Sequence, residues 1–283
     1  MGTGLRGRGP EVAPHYTAIV TFLIIGAGYT GSRVAQRLRD DGHLVVALHR
    51  SDADFTLPDA TARLRELAPA DCVALHSVPS LPGGAGAALL AALAGRARRV
   101  VYLSTTGVYG AAQEVDERTP AAPRNEREQA RVDTENAVGG GDWSSLILRP
   151  AAIYGPGRGA HVALAEGRYA LPGDGANFIS RIHVDDLAAL AVAGLLGEVV
   201  GAYPVADEHP CSSREIADFC VAQYGLPAPV SAPMEEVPVS RRGNRRVDGR
   251  AVCRLLGVAL SYPSYREGIP AAMRAMEGGA FRR

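Results

Sequence analysis

Residues 19–31 read IVTFLIIGAGYTG, an apolar run of seven residues followed by a glycine-rich turn. The apolar run predicts a buried strand, and residues 32–38 (SRVAQRL) have the composition of a helix. In this context Gly26 permits a tight turn, Gly28 lets the backbone approach a pyrophosphate, and Gly31 lets the helix pack closely on the strand. The stretch therefore predicts a dinucleotide site, with the phosphates at the N-terminus of the helix.

A glycine turn without a ligand is the alternative interpretation, because a chain with 33 glycines produces chance matches to this pattern. Residues 44–48 (LVVAL) predict the next strand and complete a strand-helix-strand unit of about thirty residues. This context favours the dinucleotide site.

Strands and helices alternate along the chain. After the first unit we expect strands at 72–76, 100–104 and 146–149, and helices at 62–67, 85–93, 127–138, 184–196, 212–224 and 250–256. Such alternation predicts an α/β fold built on a doubly wound parallel sheet, the Rossmann fold, with a small C-terminal lobe on the substrate side. The expected parts are a disordered N-terminal extension (1–17), a dinucleotide-binding Rossmann domain (18–154) and a mainly substrate-side lobe (155–283), of which 178–197 return to the Rossmann core.

Composition limits the partners and the compartment. The formal net charge is zero and no long apolar run occurs, so we expect a small-molecule substrate and neither nucleic acid nor membrane as a partner. The spacing of the four cysteines fits neither a metal site nor a disulfide framework, which predicts a cytoplasmic protein without a metal. All 30 basic residues are arginines, which excludes lysine-dependent chemistry.

Four blocks of sequence occur in a characteristic order: VVYLSTTGVYG (100–110), VDERTP (115–120), LRPAAIYGPG (148–157) and FISRIHVDDL (178–187). Together they resemble the extended short-chain dehydrogenases/reductases, a family that includes nucleotide-sugar epimerases and dehydratases. The resemblance implies an NAD(P)-dependent oxidoreductase or epimerase-like enzyme that acts on a small oxygenated substrate or a nucleotide-sugar.

The chain departs from this family at its proton donor. Family members carry a Tyr, then a Lys four residues later, then a Glu four residues further on; counting back from Glu135 places Arg131 at the lysine and Arg127 at the tyrosine. Ile25 also stands where extended members usually have a glycine. Both departures, with residues 244–250 and 262–265, are similar to a subgroup of bacterial YeeZ-like proteins that lack the Tyr-x-x-x-Lys pair.

Residues after the second predicted strand indicate which dinucleotide binds. An acid there accepts from the ribose hydroxyls of NAD, whereas this chain has His49, Arg50 and Ser51. A guanidinium matches phosphate oxygens, so the sequence predicts NADP(H) over NAD(H), with a solvated Arg50 as the alternative. The complete set of predicted cofactor-binding residues is Gly26, Gly28, Tyr29, Thr30, Gly31, His49, Arg50, Ser51, Ser77, Val78, Ser104, Pro150 and Ile153.

The predicted catalytic residues are Thr105, Tyr109, Arg127 and Arg131. Thr105 matches the Ser/Thr with which the family binds its substrate, and Tyr109 also suits a packing role. An arginine stays charged at neutral pH, so Arg127 and Arg131 are expected to bind anions or oxygens rather than donate protons, unless they lie on a solvated helix face.

Three functional interpretations and two assembly states stay open at this point. The chain is an NADP-dependent enzyme, a catalytically silent NADP(H)-binding sensor or accessory protein, or a non-redox lyase or hydrolase on the same scaffold. The stretch 71–100 leaves room for only a short helix where extended members dimerise, so we expect a monomer or a weak homodimer.

Overall fold

A computed structural model describes residues 20–79, 81, 85–238 and 241–280, so the extension predicted for residues 1–17 lies outside the described residues. The strands are β1 (Thr21–Ile25), β2 (Leu44–Leu48), β3 (Cys72–His76), β4 (Ala97–Leu103), β5 (Glu114–Val115), β6 (Ser144–Pro150), β7 (Ala152–Tyr154), β8 (Ala170–Pro172), β9 (Phe178–Ile179), β10 (Arg181–His183), β11 (Gly201–Val205), β12 (Cys211–Ser212), β13 (Val230–Ala232) and β14 (Arg246–Val247). The helices are α1 (Gly31–Asp40), α2 (Ala60–Leu67), α3 (Ala85–Leu90), α4 (Glu126–Gly139), α5 (Ala160–Ala165), α6 (Val184–Leu196), α7 (Ser213–Tyr224), α8 (Arg250–Leu256) and α9 (Tyr265–Ala280).

Six parallel strands form the central sheet in the order β11-β6-β4-β3-β1-β2. The predicted α/β class and doubly wound sheet are confirmed. The chain leaves β1 in one direction to form β2 and then returns to the other side of β1 to form β3. Ligands bind at the carboxyl edge of such sheets where the strand order reverses, and here that crevice lies between β1 and β3.

Both faces of the sheet are covered by helices. Phe22 and Ile24 pack with α1, α6 and α8 on one face, and Leu23 and Ile25 pack with α2, α3 and α4 on the other. A strand buried on both faces needs apolar residues at every position, which explains why β1 lies in an uninterrupted apolar run.

Sequence analysis predicted most elements of the central sheet but missed its edge strand β11. β11 has the sequence GAYPV, and proline and glycine are uncommon within strands. The strand lies at the edge of the sheet and pairs with β6 alone, so Pro204 is tolerated there. β11 lies just beyond the segment 178–197 that was expected to return to the Rossmann core.

Several helix ends are marked by a capping side chain or by a glycine. The Ser212 hydroxyl accepts from the Glu215 amide at 3.0 Å at the start of α7, and Gly257 ends α8 with a φ of 66°. At the start of α6, His183 Nδ1 accepts from the Asp185 amide at 3.2 Å. The long helix α9, which contains Pro270, was not predicted.

Candidate active site at the carboxyl edge of the sheet

The glycine turn joins β1 to α1, and each of its glycines has a different environment. Gly26 has a φ of +89°, which disfavours any residue with a side chain. A methyl group on Gly31 would overlap the Gly26 carbonyl oxygen and lie 2.9 Å from Ser77 Oγ. A methyl group on Gly28 would meet no atom within 4 Å, so Gly28 presents its backbone to open space.

Side chains around the turn hold it against the neighbouring strand. The Ser77 hydroxyl, just after β3, donates to the Gly26 carbonyl at 2.6 Å, and the Ser32 hydroxyl donates to the Ala27 carbonyl at 2.6 Å. Thr30 is buried at the start of α1 without a side-chain capping bond. Predicted residues from the turn and from the end of β3 therefore meet in the crevice between β1 and β3.

Tyr29 links the turn to the second half of the chain. Its hydroxyl donates to the Pro156 carbonyl at 3.1 Å, and the Arg33 guanidinium lies 4.4 Å from the centre of its ring. Burial raises the pKa of the Tyr29 phenol, so it stays protonated at neutral pH. In this position Tyr29 connects the turn to residues 155–158.

The residues just after β2 are exposed and include an acid that the sequence analysis did not consider. His49, Arg50 and Ser51 are all exposed, and the His49 amide donates to Asp52 Oδ2 at 2.8 Å. The chain turns back after β2, so the carboxylate of Asp52 lies beside the position where a strand-end acid was sought. Hydrogen bonds from Thr56 and the nearby charge of Arg50 lower the pKa of Asp54.

Ser104 and Thr105 follow β4 at the same edge of the sheet. The Thr105 hydroxyl accepts from the Gly107 amide at 3.2 Å and caps the 3₁₀ turn Thr106–Tyr109. Ser104 is buried, and its hydroxyl has no hydrogen-bond partner in the described part of the chain.

Arg245 supports the loop after Thr105, and no sequence signal predicted this contact. Its guanidinium donates to the carbonyls of Thr106, Gly110 and Ala112, the last two at 2.6 and 2.8 Å. Burial lowers the pKa of Arg245. One arginine thus satisfies three carbonyls of a loop 130 to 140 residues away in sequence.

Of the two arginines at the family's tyrosine and lysine positions, only Arg131 is recorded in contact with the sheet. Its Nη1 donates to the Tyr102 hydroxyl at 2.8 Å and lies 3.4 Å from the Val78 carbonyl and 3.5 Å from that of Leu103. Arg127 is exposed one turn earlier on α4, and its side chain makes no hydrogen bond within the residues described.

Tyr109 lies beneath α4 rather than at its surface. The residue is 1% exposed, and its hydroxyl accepts from Arg149 Nη1 at 3.3 Å. Arg149 also forms a bidentate ion pair with Glu135, at 2.6 and 3.0 Å, which joins α4 to β6. Tyr109 is therefore part of a buried polar cluster, as expected for a packing tyrosine.

Pro150 and Ile153 lie at and just beyond the carboxyl end of β6. Pro150 is the last residue of β6 and is buried, whereas Ile153 is half-buried in β7, which pairs with β10. The predicted cofactor residues of β1, β3, β4 and β6 thus lie at or just beyond strand ends along one edge of the sheet, and His49–Ser51 follow its outermost strand, β2.

No helix in the ranges given above is both long and apolar enough to cross a membrane. No group of three or more His, Cys, Asp or Glu side chains within those ranges is arranged to hold a metal ion.

Comparison with known proteins gives a family match over the middle of the chain. Residues 84–199 match the NAD dependent epimerase/dehydratase family. The chain is also 28% identical over 158 residues to a 3-diazoavenalumate denitrifying reductase from Streptomyces, and the match spans about half of each protein, 50% of this chain and 51% of the reductase.

Solved structures match nearly the whole chain. A conserved protein of unknown function from Silicibacter pomeroyi DSS is 30% identical, with a TM-score of 0.73 over 91% of this chain and 99% of the other. MoeE5, solved in complex with UDP-glucuronic acid and NAD, is 21% identical, with a TM-score of 0.73 over 92% and 99% of the two chains. At this identity the second match shows a common fold.

Proposed function

We propose that this chain is an NADP-dependent reductase whose acceptor needs no proton from a tyrosine. The chain belongs to the extended short-chain dehydrogenases/reductases of the NAD-dependent epimerase/dehydratase family. The observation that carries the proposal is the contact of Arg131 with a buried tyrosine at the place where the family has its Tyr-x-x-x-Lys pair. The relatives support NAD(P) chemistry in general, and the acceptor class and the preference for NADP are our inference.

The crevice between β1 and β3 fits a dinucleotide. The open space at Gly28 is a cradle that a side chain would begin to fill, and the first amides of α1 stand beside it. In the proposed complex Gly26–Gly31 bind the pyrophosphate, Ser77 keeps the turn closed, and Arg131 contacts oxygens toward the nicotinamide end. The bound nicotinamide supplies a hydride donor or acceptor.

Tyrosine hydroxyls near this edge are unsuited to proton donation. Those of Tyr102 and Tyr109 belong to buried residues and are hydrogen-bonded to arginines, and burial raises the pKa of both phenols. A threonine hydroxyl is a poor acid, so Thr105 positions a substrate rather than protonates it. Epimerisation through a ketone requires proton transfer in both directions, which makes epimerase chemistry the weaker candidate.

We choose the acceptor class because neither of these tyrosines, among the residues described at this edge, is placed to act as an acid. A carbonyl that receives a hydride becomes an alkoxide and must be protonated. In an arenediazonium ion the hydride adds to the ring carbon that carries the diazonium group, and this group leaves as N₂. No atom of the product then has to be protonated. The Streptomyces relative is named as a denitrifying reductase of a diazo compound, and we extend this acceptor class to the present chain.

Stopped-flow absorbance of NADPH tests the reaction. We expect oxidation with 3-diazoavenalumate and little or none with a simple aldehyde or UDP-glucose, each mixed with enzyme and with buffer alone. Arg131→Met is expected to slow the reaction at least about tenfold through loss of a charge-assisted hydrogen bond. Faster turnover of the aldehyde or the sugar would contradict the acceptor class. NADPH binding without oxidation of any of the three would instead support the sensor or accessory interpretation.

A second experiment tests the preference for NADP. Arg50 is exposed after β2, where its guanidinium is free to meet a 2′-phosphate. We expect NADPH to bind more tightly than NADH, and Arg50→Ala to lose about ten- to a hundredfold in affinity for NADPH with little change for NADH. The matched control is Arg98→Ala, an exposed arginine near the amino end of β4. Tighter binding of NADH, as Asp52 at this strand end would favour, would overturn the preference.

A further inference from the structure

Tyr102, on β4, has its side chain in the core and its hydroxyl at the Arg131 guanidinium. The residue is 1% exposed, and Arg131 Nη1 donates to its hydroxyl at 2.8 Å. The sequence pattern gives Tyr102 no function, because it occupies a strand position that any large apolar residue would fill.

The ring that stacks on Tyr102 is neutral. His76, on β3, stacks on the ring with centroids 4.9 Å apart and planes at 22°. Burial, with a smaller effect from Arg131, lowers the pKa of His76 to about 3, so the imidazole is neutral at physiological pH. Arg131 therefore meets a neutral aromatic pair rather than a second cation.

The helix that carries Arg131 is fixed independently of Tyr102. One turn further along α4, Glu135 forms its bidentate ion pair with Arg149. Because i and i+4 share a helix face, this ion pair holds the α4 backbone near Arg131, and the Tyr102 hydroxyl makes the shortest contact with the Arg131 guanidinium.

The guanidinium is held by one end only. Nη1 makes the contacts with Tyr102 and the strand-end carbonyls, whereas Nε and Nη2 have no recorded hydrogen bond among the residues described, and the side chain is only half-buried. Val78, whose carbonyl is one of these contacts, also lies against Gly26, where a methyl group would be 3.1 Å from Val78 Cγ2. The free nitrogens thus lie next to the crevice that the glycine turn lines.

We propose that Tyr102 is a positioning residue that holds the Arg131 guanidinium at the mouth of the crevice, so that its remaining donors bind oxygens of the nicotinamide dinucleotide. The inference rests on the proposed function, since it takes the dinucleotide as the ligand. Tyr102 does not exchange protons with a substrate in this role and acts only through Arg131.

A double-mutant cycle on NADPH affinity tests this role, with binding followed by nicotinamide fluorescence. Tyr102→Phe keeps the ring on His76 and removes only the hydroxyl, and is expected to weaken binding about five- to tenfold; Arg131→Gln is expected to weaken it at least as much. The double variant should bind like Arg131→Gln alone, because the hydroxyl has no effect without the guanidinium. Tyr169→Phe is the control, since its buried hydroxyl donates to the Ser213 carbonyl in the C-terminal lobe.

A second readout does not depend on the cofactor. Modification of Arg131 by phenylglyoxal, quantified by peptide mass spectrometry, should be several times faster in Tyr102→Phe than in the wild type and unchanged in Tyr169→Phe. Additive losses of affinity in the double variant, or an unchanged modification rate, would refute the role of Tyr102. Failure of the wild type to bind NADPH or NADH, with faster modification in Tyr102→Phe, would refute the proposed function and leave Tyr102 as a positioning residue for another ligand of Arg131.

Discussion

Replacement of Gly31 by alanine is expected to destabilise the protein by about 3 kcal/mol, near the upper end of the cost of overpacking, and to abolish measurable dinucleotide binding. The added methyl group would overlap the Gly26 carbonyl oxygen and press on Ser77 Oγ at 2.9 Å. The first obstacle is backbone, which cannot rotate away, so α1 must move off β1 and the turn must open. Urea unfolding measures the loss of stability, and fluorescence titration with NADPH and NADH measures binding.

Two other alanine variants separate folding from ligand binding. Gly28→Ala has no neighbour within 4 Å, so we expect wild-type stability together with weakened dinucleotide binding, because the methyl group enters the space assigned to the pyrophosphate. Gly139→Ala, in the last turn of α4 and equally unhindered, should leave binding unchanged and keep or slightly raise stability. Equal stability of the Gly31→Ala and Gly139→Ala variants would show that the turn does not pack as described.

Replacement of Arg149 by methionine is expected to destabilise the protein by roughly 3 to 5 kcal/mol, because it leaves the carboxylate of Glu135 buried without its partner. The side chains of this ion pair are only 12% and 5% exposed, so water cannot replace the guanidinium. The same change removes the donor to the Tyr109 hydroxyl and the attachment of α4 to β6. Urea unfolding at neutral pH measures the effect.

An exposed ion pair provides the matched control for this prediction. Arg118 pairs with Asp116 at 2.7 Å but is 84% exposed, and Arg118→Met should leave the free energy of unfolding essentially unchanged. The double variant Arg149→Met/Glu135→Gln should recover part of the stability lost in Arg149→Met, since it removes the unpaired charge. If Arg149→Met lowered the free energy of unfolding as little as Arg118→Met, the ion pair of Arg149 with Glu135 would not anchor α4.

Strands and helices of the Rossmann core were predicted closely because their signals are local. β2, β3, α6 and α8 begin and end at the predicted residues, since each combines an apolar pattern with a clear boundary. The edge strand β11 was missed because its proline and glycine are disfavoured in strands, and only its place at the edge of the sheet makes them acceptable.

The residues of the candidate site also include some that the sequence could predict and some that it could not. The glycine turn could be predicted because its three glycines act through the backbone within six residues. Asp52 was overlooked because its carboxylate reaches the end of β2 only when the chain turns back on itself. Arg245 and Tyr102 gave no signal, since their contacts join residues far apart in sequence.

The sequence by itself determined that a strand, a glycine turn and a helix form a dinucleotide-type crevice in a doubly wound sheet, because glycine spacing and apolar burial act over short stretches of chain. Only the tertiary structure decided how the two arginines at the family's tyrosine and lysine positions differ. Arg131 meets Tyr102 from a helix 29 residues later, whereas Arg127, on the same helix, stays in solvent. That difference depends on how α4 lies against β4, which the ion pair between Glu135 and Arg149 sets across 14 residues of chain.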